Sequence, residues 1–120
     1  AGWRGLCDGV LEETVNALDC DPTEILAWLG PAIGPQAFEV GDEVRAAFMA
    51  HDEHAADAFK TSHNQKWLAD IYQLARQRLA ACGVTAVYGG GLCTYTQQDL
   101  FFSFRRDQQT GRMASLIWLN

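Results

Sequence analysis

The sequence predicts an α/β protein in which helices cover a sheet. Amphipathic helical stretches alternate with short apolar or β-branched stretches, an alternation that is typical of helices packed on a sheet. Of the 120 residues, 48% are hydrophobic and 20% are charged, a balance found in globular chains. Because no internal repeat or linker interrupts this pattern, residues 1–120 are expected to form a single unit.

The first half of the chain contains two helical patterns around a rigid loop. Apolar side chains recur at helical spacing from Cys7 to Leu18, which predicts a helix over 5–19 after an opening Gly-Trp-Arg-Gly loop. Asp21, followed by proline, predicts one short helical turn. The patterns that follow predict a buried strand over 25–29, a Gly-Pro loop, a short strand over 38–40 and a helix over 41–50.

The second half begins with a polar segment. Residues 51–65 show no sustained period and are expected to be a mobile surface segment. Apolar side chains at helical spacing then predict a helix over 67–82, which Gly83 ends. Strands are predicted over 84–91, a β-branched stretch that ends in three glycines, and over 113–119, where the final buried strand is expected.

Charge and hydropathy exclude two classes of partner. The net charge is −6, with twelve acidic and two basic residues in 1–57 and three acidic and seven basic residues in 58–120. This acidity argues against nucleic-acid binding, which needs clustered positive charge. No apolar run approaches the roughly 18 residues of a membrane helix, and no signal-peptide pattern opens the sequence. A cytoplasmic protein that binds neither nucleic acid nor membrane is therefore expected.

Cysteines and histidines offer only weak catalytic or metal signals. The four cysteines form no Cys-x-x-Cys pair, so free and mostly buried thiols are expected. His51 and His54 have a spacing that zinc can use, but their polar surroundings favour a surface loop. Cys93, after a glycine-rich turn, could be a nucleophile, although no base is near in sequence and a structural thiol is favoured.

Arginines are the stronger candidates for binding an anion. Arg105 and Arg106 lie beside aromatic residues and could hold phosphate or carboxylate oxygens bidentately. The alternative is a surface hairpin in which they pair with Asp99 or Asp107, and the residues alone leave both possibilities open. Near the start, Gly2 and Gly5 permit close backbone approach, while Trp3 and Arg4 offer a stacking face and a cation.

Three separated motifs together resemble one known family. The stretches AGWRGL, WLGPAIGPQAFEVGDEV and GGGLCTYTQQDLFFSFRRD…TGRMASLIWL are similar to the C-terminal half of the laccase-domain proteins, also called polyphenol oxidase family proteins or YfiH-like purine nucleoside phosphorylases. The resemblance implies a three-layer α/β/α sandwich with a mixed sheet. It also implies a zinc-dependent transferase that phosphorolyses adenosine, inosine and methylthioadenosine, with adenosine deamination, a hydrolase reaction, as a further activity.

The resemblance also implies which residues line the site and where the metal lies. The zinc ligands of the family precede the AGWRG stretch and are therefore expected upstream of Ala1. No metal ligand is expected in this chain, which alone is expected to be inactive. Arg4, Arg105 and Arg106 are the candidates for substrate or anion contacts, while no catalytic residue is assigned. The pocket-lining candidates are Gly2, Trp3, Gly5, Phe38 and Cys93.

The expected partners are a purine nucleoside and phosphate, together with a second copy of the chain or an N-terminal half. Two alternatives to the phosphorylase remain open. One is a copper-dependent polyphenol oxidase, and the other is a noncatalytic α/β interaction module.

Overall fold

The computed structural model describes residues 2–120 and confirms the α/β class, while Ala1 lies outside the described residues. In chain order its helices and strands are α1 (Gly2–Asp8), α2 (Val10–Leu18), β1 (Leu26–Leu29), β2 (Glu39–Val40), α3 (Asp42–His51), β3 (Phe59–Thr61), β4 (Trp67–Ala69), α4 (Ile71–Ala81), β5 (Ala86–Gly89) and α5 (Phe104–Asp107). Short 3-10 turns precede β1, β3 and β4. The predicted turn at Asp21 and the elements β2, α3 and β5 are confirmed.

The strands form one parallel and one antiparallel sheet. Strands β1 and β5 pair in parallel, with Leu26 opposite Ala86 and Leu29 opposite Gly89. Strand β4 lies between β2 and β3 and is antiparallel to both. Since parallel strands run in the same direction, the loops after β1 and β5 leave the sheet at the same edge.

Helices α2 and α4 cover one face of the β1–β5 sheet. Val15, Leu79 and Val84 form a buried cluster there, against the partly buried Leu29 and Val87. Side chains of a strand alternate between the two faces of its sheet, and three of them lie on the opposite face. Leu26, Trp28 and Tyr88 are 75%, 62% and 60% exposed, so within residues 2–120 this face is uncovered. The prediction of a fully buried strand over 25–29 is therefore wrong for one of its two faces.

The main core lies between α1, α3, α4 and the three-stranded sheet. Phe48 and Leu74 are each 1% exposed at its centre. The Phe48 ring packs against Trp3 and Phe59, with ring centroids 6.5 and 6.2 Å away. Aromatic pairs at this separation add to the stabilisation that comes from their buried area.

An ion pair joins the acidic first half of the chain to its basic second half. Arg78 on α4 donates to the Glu12 carboxylate on α2 at 2.6 Å and to the Cys7 carbonyl at 3.0 Å. The Arg78 side chain is 14% exposed, so solvent screens this pair less than it would screen a surface pair. The charge asymmetry of the sequence thus contributes to packing of α4 on α2.

The start of the chain differs from the prediction. The Gly-Trp-Arg-Gly stretch is helical rather than a loop, and the helix predicted over 5–19 is two helices that meet at Gly9. Gly9 has a φ of 105°, a left-handed conformation that L side chains rarely adopt. The helical spacing of the apolar residues continues across this glycine, so spacing alone does not reveal the break.

The polar segment 51–65 is also more regular than predicted. Asp52 accepts a hydrogen bond from the His54 N–H and caps a 3-10 turn over Glu53–Ala58, which strand β3 follows. Ala55, Ala58 and Phe59 are buried. These three buried positions are too few and too close together to establish a helical or strand period in the sequence.

The helix predicted over 67–82 begins four residues later. Asp70 accepts a hydrogen bond from the Gln73 N–H at 3.1 Å and caps α4. Trp67–Ala69 instead forms β4, which pairs with two strands. The apolar side chains of 67–69 continue the helical stripe, and only the capping aspartate marks the boundary.

The final strand predicted over 113–119 is absent from the structure. Residues 108–120 have no helix or strand, and Leu116, Ile117 and Leu119 are at least 83% exposed. A strand requires a neighbour that satisfies its backbone hydrogen bonds, and no described residue pairs with this segment.

Candidate functional site at the carboxyl ends of β1 and β5

Two glycine-rich loops meet where the parallel strands end. Loop A, residues 30–37, follows β1, and loop B, residues 90–97, follows β5. The Thr94 N–H donates to the Ala32 carbonyl at 3.0 Å and joins the loops through their backbones. The carboxyl ends of parallel strands are the edge at which open α/β sheets commonly bind ligands.

Cys93 makes the second contact between the loops. The Gly34 N–H donates to the Cys93 sulfur at 3.1 Å, while the Cys93 N–H donates to the side-chain oxygen of Gln97 at 2.7 Å. A β-carbon on Gly34 would lie 3.1 Å from the β-carbon of Cys93. Glycine at 34 therefore allows loop A to approach the thiol more closely than a larger residue would.

The two loops enclose a cleft of about 270 Å³, which we call the Cys93 cleft. Its walls combine backbone, small side chains and a few polar groups. They are formed by Gly34, Pro35, Gln36, Ala37, Gly90, Gly91, Leu92, Cys93 and Thr96. Such a cleft presents backbone N–H and C=O groups to a flat polar ligand with little steric obstruction.

Hydrogen bonds favour the thiolate form of Cys93. Partial burial raises the pKa of the thiol, but hydrogen bonds from Thr96 and from the backbone of Gly34 and Tyr95 outweigh it. The resulting pKa lies below the ordinary cysteine value. Cys93 is thus more reactive than a thiol held only among apolar groups.

Two side chains of helix α4 make hydrogen bonds at the two loops. The sequence did not indicate these contacts. The Tyr72 hydroxyl accepts the Ala32 N–H at 2.7 Å and donates to the Leu92 carbonyl at 2.8 Å. Arg76, one turn further along the helix, donates to the Gly89 carbonyl. Both residues fit the apolar-and-basic pattern of an ordinary amphipathic helix, so no sequence signal distinguishes them.

Arg105 lies on the predicted pocket residue Phe38. Its guanidinium is 5.2 Å from the centre of the Phe38 ring, and it donates to the Glu39 carbonyl at 2.7 Å. Phe38 is buried, while Arg105 is exposed. Within residues 2–120 the exposed Arg105 makes one hydrogen bond, so further guanidinium N–H groups can bind an anion.

Arg106 has a different environment from its neighbour. Its guanidinium donates to the carbonyls of Thr94, Tyr95 and Phe101 at 3.0 to 3.1 Å and to both carboxylate oxygens of Asp107. The sequence left open a surface hairpin in which both arginines pair with Asp99 or Asp107, whereas the structure has a short helix here and pairs Arg106 with Asp107. With these partners, the guanidinium ties loop B to α5.

Trp3 and Arg4 lie on α1 and take part in none of the loop contacts described above. The Arg4 guanidinium lies 4.7 Å from the Trp3 ring centre, and Trp3 packs on the main core. Within residues 2–120, Arg4 makes no hydrogen bond or ion pair to protein. Gly2 and Gly5 are the helical neighbours of this pair.

The described residues do not supply a metal centre. Among residues 2–120, no group of three or more His, Cys, Asp or Glu side chains is placed to hold a metal ion. His54 instead contacts the Asp52 carboxylate at 3.1 Å through its Nδ1 atom. Ala1 and the zinc ligands that the resemblance places upstream of it lie outside the described residues, so that expectation stays a prediction.

The four cysteines follow the prediction only in part. The thiols of Cys7, Cys20, Cys82 and Cys93 are free, which confirms the first half of it. Only Cys7 is buried, while Cys20 is exposed and the other two are partly exposed. The expectation of mostly buried thiols is therefore wrong, because Cys20, Cys82 and Cys93 lie in loops or just after a helix.

Comparison with known proteins decides the family. The family model described as multi-copper polyphenol oxidoreductase laccase matches residues 1–120. The chain belongs to this family. No helix of residues 2–120 is both long and apolar enough to cross a bilayer.

Curated members of the family carry a phosphorylase name. The chain is 67% identical to the purine nucleoside phosphorylase YfiH of Escherichia coli over 119 residues, which are 99% of this chain and 49% of that protein. It is 59% identical to a purine nucleoside phosphorylase of Pseudomonas aeruginosa, covering 99% of this chain and 50% of the relative. The chain therefore spans about half the length of the curated relatives it matches.

Solved structures confirm the fold. A crystal structure of a Neisseria meningitidis protein superposes with a TM-score of 0.86 at 51% identity, covering 89% of this chain and 44% of that one. YlmD from Geobacillus stearothermophilus gives 0.76 at 27% identity, covering 90% and 43%. The arrangement of helices and strands is thus that of the family.

Proposed function

We propose that this chain is part of a purine nucleoside phosphorylase and that the Cys93 cleft forms part of its nucleoside site. The observation that carries the proposal is the 67% identity, over 99% of the chain, to a relative with that name. The position of the cleft at the carboxyl ends of parallel strands supports the second part.

The cleft has the chemistry that a purine base requires. The glycines of loops A and B leave room for a flat ring beside the backbone. Gln36 supplies an amide that can both donate and accept hydrogen bonds, and Thr96 supplies a hydroxyl. These groups match the mixed donors and acceptors on the edge of adenine or hypoxanthine.

Arg105 is our leading candidate for the phosphate contact, and Arg4 is the second. In phosphorolysis a phosphate oxygen bonds to C1′ of the ribose as the bond from C1′ to the base breaks, and the base takes the electron pair and then a proton. A guanidinium beside phosphate orients the nucleophile and balances its charge. Arg105 has guanidinium N–H groups left for phosphate, and Arg4 is exposed to solvent, which supports these roles. The guanidinium of Arg106 is already bonded to backbone carbonyls, which favours a structural role.

Zinc belongs to the proposal through the family resemblance, which assigns its ligands to residues upstream of Ala1. Bound zinc would act as a Lewis acid. Residues 2–120 contain no group of three or more His, Cys, Asp or Glu side chains placed to bind a metal ion. We therefore assign substrate contacts rather than metal ligands to this chain. We further propose a cytoplasmic enzyme whose 120-residue segment alone is inactive and binds no stoichiometric zinc.

The decisive experiment incubates the protein at its full length with inosine, adenosine or methylthioadenosine. We expect free base and ribose 1-phosphate, or its methylthio derivative, in equal amounts and only when phosphate is present. Ammonia release from adenosine without phosphate measures the deaminase activity separately. If the zinc-loaded protein releases base from none of the three nucleosides, the proposal is contradicted.

The same protein preparation tests the two alternatives. The family description names a polyphenol oxidoreductase, so phenol oxidation that requires added copper would favour the oxidase. A folded protein with no nucleoside binding and no turnover of either kind would favour the noncatalytic module.

A further inference from the structure

Two side chains of α4 reach the edge of the sheet where the candidate site lies. Tyr72 and Arg76 are four residues apart and therefore project from the same face of the helix. Tyr72 contacts both loops, and Arg76 contacts the carbonyl of Gly89, the last residue of β5. Helix α4 thus contacts loop A, loop B and the last residue of β5.

The Tyr72 hydroxyl is well placed to hold the two loops in fixed register. The residue is 4% exposed, so little water competes for its oxygen. Burial raises the pKa of this hydroxyl, so it keeps its proton and its ability to donate to the Leu92 carbonyl. A buried hydroxyl that both accepts and donates satisfies backbone groups that would otherwise be left unpaired.

A short series of contacts connects Tyr72 to the thiol. Tyr72 holds the N–H of Ala32, whose carbonyl accepts the N–H of Thr94, the residue after Cys93. Two residues after Ala32, the Gly34 N–H donates to the Cys93 sulfur. The Tyr72 hydroxyl is therefore connected to the Gly34–Cys93 contact through the backbone groups of Ala32 and Thr94.

We propose that Tyr72 is a positioning residue, which together with Arg76 clamps loops A and B and sets the geometry of the Cys93 cleft. The clamp itself rests only on the contacts above, while its effect on turnover rests on the proposed phosphorylase function. Tyr72 reaches a ligand through the loops, not by direct contact.

The thiol of Cys93 reports the state of the clamp without any substrate. Among the hydrogen bonds that lower its pKa, the one from the Gly34 N–H comes from loop A, so separating the loops removes that bond and raises the pKa of the thiol. The ionisable groups around this network are Tyr72 and Arg76 on α4, Asp70 at the helix start, and Arg106 on the carbonyls of Thr94 and Tyr95.

The test measures alkylation of Cys93 by iodoacetamide as a function of pH, resolved by peptide mass spectrometry, in the protein at its full length. Tyr72→Phe removes the hydroxyl, and Tyr88→Phe is the matched control, because Tyr88 is 60% exposed and its side chain hydrogen-bonds to no described residue. We expect Tyr72→Phe to raise the midpoint of the profile by about half a pH unit or more, the scale of a weakened hydrogen bond. Tyr88→Phe should leave it unchanged.

An unchanged midpoint in folded Tyr72→Phe overturns the clamp. If Tyr72→Phe does not fold, Arg76→Gln measured in 1 M salt takes its place, since a Debye length of about 3 Å screens the lost charge. An unchanged midpoint in Arg76→Gln then overturns the proposal, and a raised midpoint supports it.

Turnover separates the clamp from the proposed function. With a working phosphorylase, Tyr72→Phe should lower kcat by roughly tenfold with a smaller change in KM, because misplaced loops weaken contacts made at the transition state. A raised Cys93 midpoint in a protein without phosphorolysis would refute the proposed function and leave the clamp standing. A raised midpoint with unchanged kcat would overturn the positioning role in turnover.

Discussion

The loops around Cys93 and the C-terminal segment 113–119 contrast in how this chain holds them. The loops have no helix or strand, yet Tyr72, Thr94 and the Gly34 N–H hold them in place. The C-terminal segment has the apolar pattern of a buried strand, yet its side chains are exposed and no described strand pairs with it. Whether a segment of this chain is held in place thus depends more on the hydrogen-bond partners available to it than on its own sequence pattern.

The largest expected effect concerns the neighbouring arginines beside loop B. Arg105→Ala in the protein at its full length should cut phosphorolysis by about a hundredfold, the scale for losing an electrostatic stabiliser, with little change in Tm. Arg106→Ala should lower Tm, because it leaves the carbonyls of Thr94, Tyr95 and Phe101 without their donor. Parallel loss of Tm and turnover in both variants would make Arg105 structural as well.

The next effect compares one leucine from each kind of environment in the 120-residue chain. Leu74→Ala should reduce the free energy of unfolding by about 2–5 kcal/mol, because Leu74 is 1% exposed and its truncation leaves a cavity. Leu116→Ala should change it by less than about 0.5 kcal/mol, since Leu116 is 83% exposed. Urea unfolding monitored by circular dichroism measures both, and equal losses would show that the C-terminal segment is packed.

A third prediction concerns self-association through exposed apolar surface. Ile117 and Leu119 are 97% and 98% exposed, and the outer face of β1 is also open. The 120-residue chain should therefore show an apparent mass that rises with concentration in light scattering. The double variant Ile117→Asp, Leu119→Asp should weaken association by roughly tenfold or more through charge repulsion. A wild-type chain that stays monomeric at all concentrations would count against an accessible association surface.

The smallest expected effect concerns how the stability provided by two N-cap aspartates changes at acidic pH. Backbone N–H groups of Thr23 and His54 lower the pKa values of Asp21 and Asp52 below the ordinary value of 3.8. Because these folded-state values are depressed, the stabilisation is present above the unfolded pKa and is lost as the pH falls through the folded one. Asp21→Asn and Asp52→Asn should therefore show a slightly shallower fall of Tm between about pH 5 and 2 than the wild type does. Identical curves would assign no stabilisation to the ionised caps.

Much of the fold could be predicted from local signals. Helix α3 and strand β5 follow from amphipathic spacing and β-branched residues, and the turn at Asp21 follows from its cap and proline. The break at Gly9 and the strand at Trp67–Ala69 could not, because helical spacing continues through both. The predicted C-terminal strand is wrong for this chain because strand pairing is nonlocal.

Only some residues of the candidate site could be predicted from the sequence. Motif resemblance selected Phe38, Cys93 and Arg105; of these Cys93 lines the cleft, Arg105 lies on Phe38, and their roles stay predictions. Tyr72 was missed, since its contacts join residues 20 and 40 positions away and depend on how α4 packs beneath the sheet edge. Long-range hydrogen bonds of this kind leave no spacing signal in a single sequence.

The most direct test of the account asks whether a nucleoside occupies the Cys93 cleft. In the full-length protein, iodoacetamide alkylation of Cys93 is followed with and without inosine and phosphate, and the exposed Cys20 is the internal control. At ligand concentrations ten times the dissociation constant, Cys93 alkylation should slow by about tenfold, because only the free fraction reacts, while Cys20 should react at the same rate. Equal Cys93 rates with and without ligand, in a protein that demonstrably binds inosine, would contradict the assignment of this cleft.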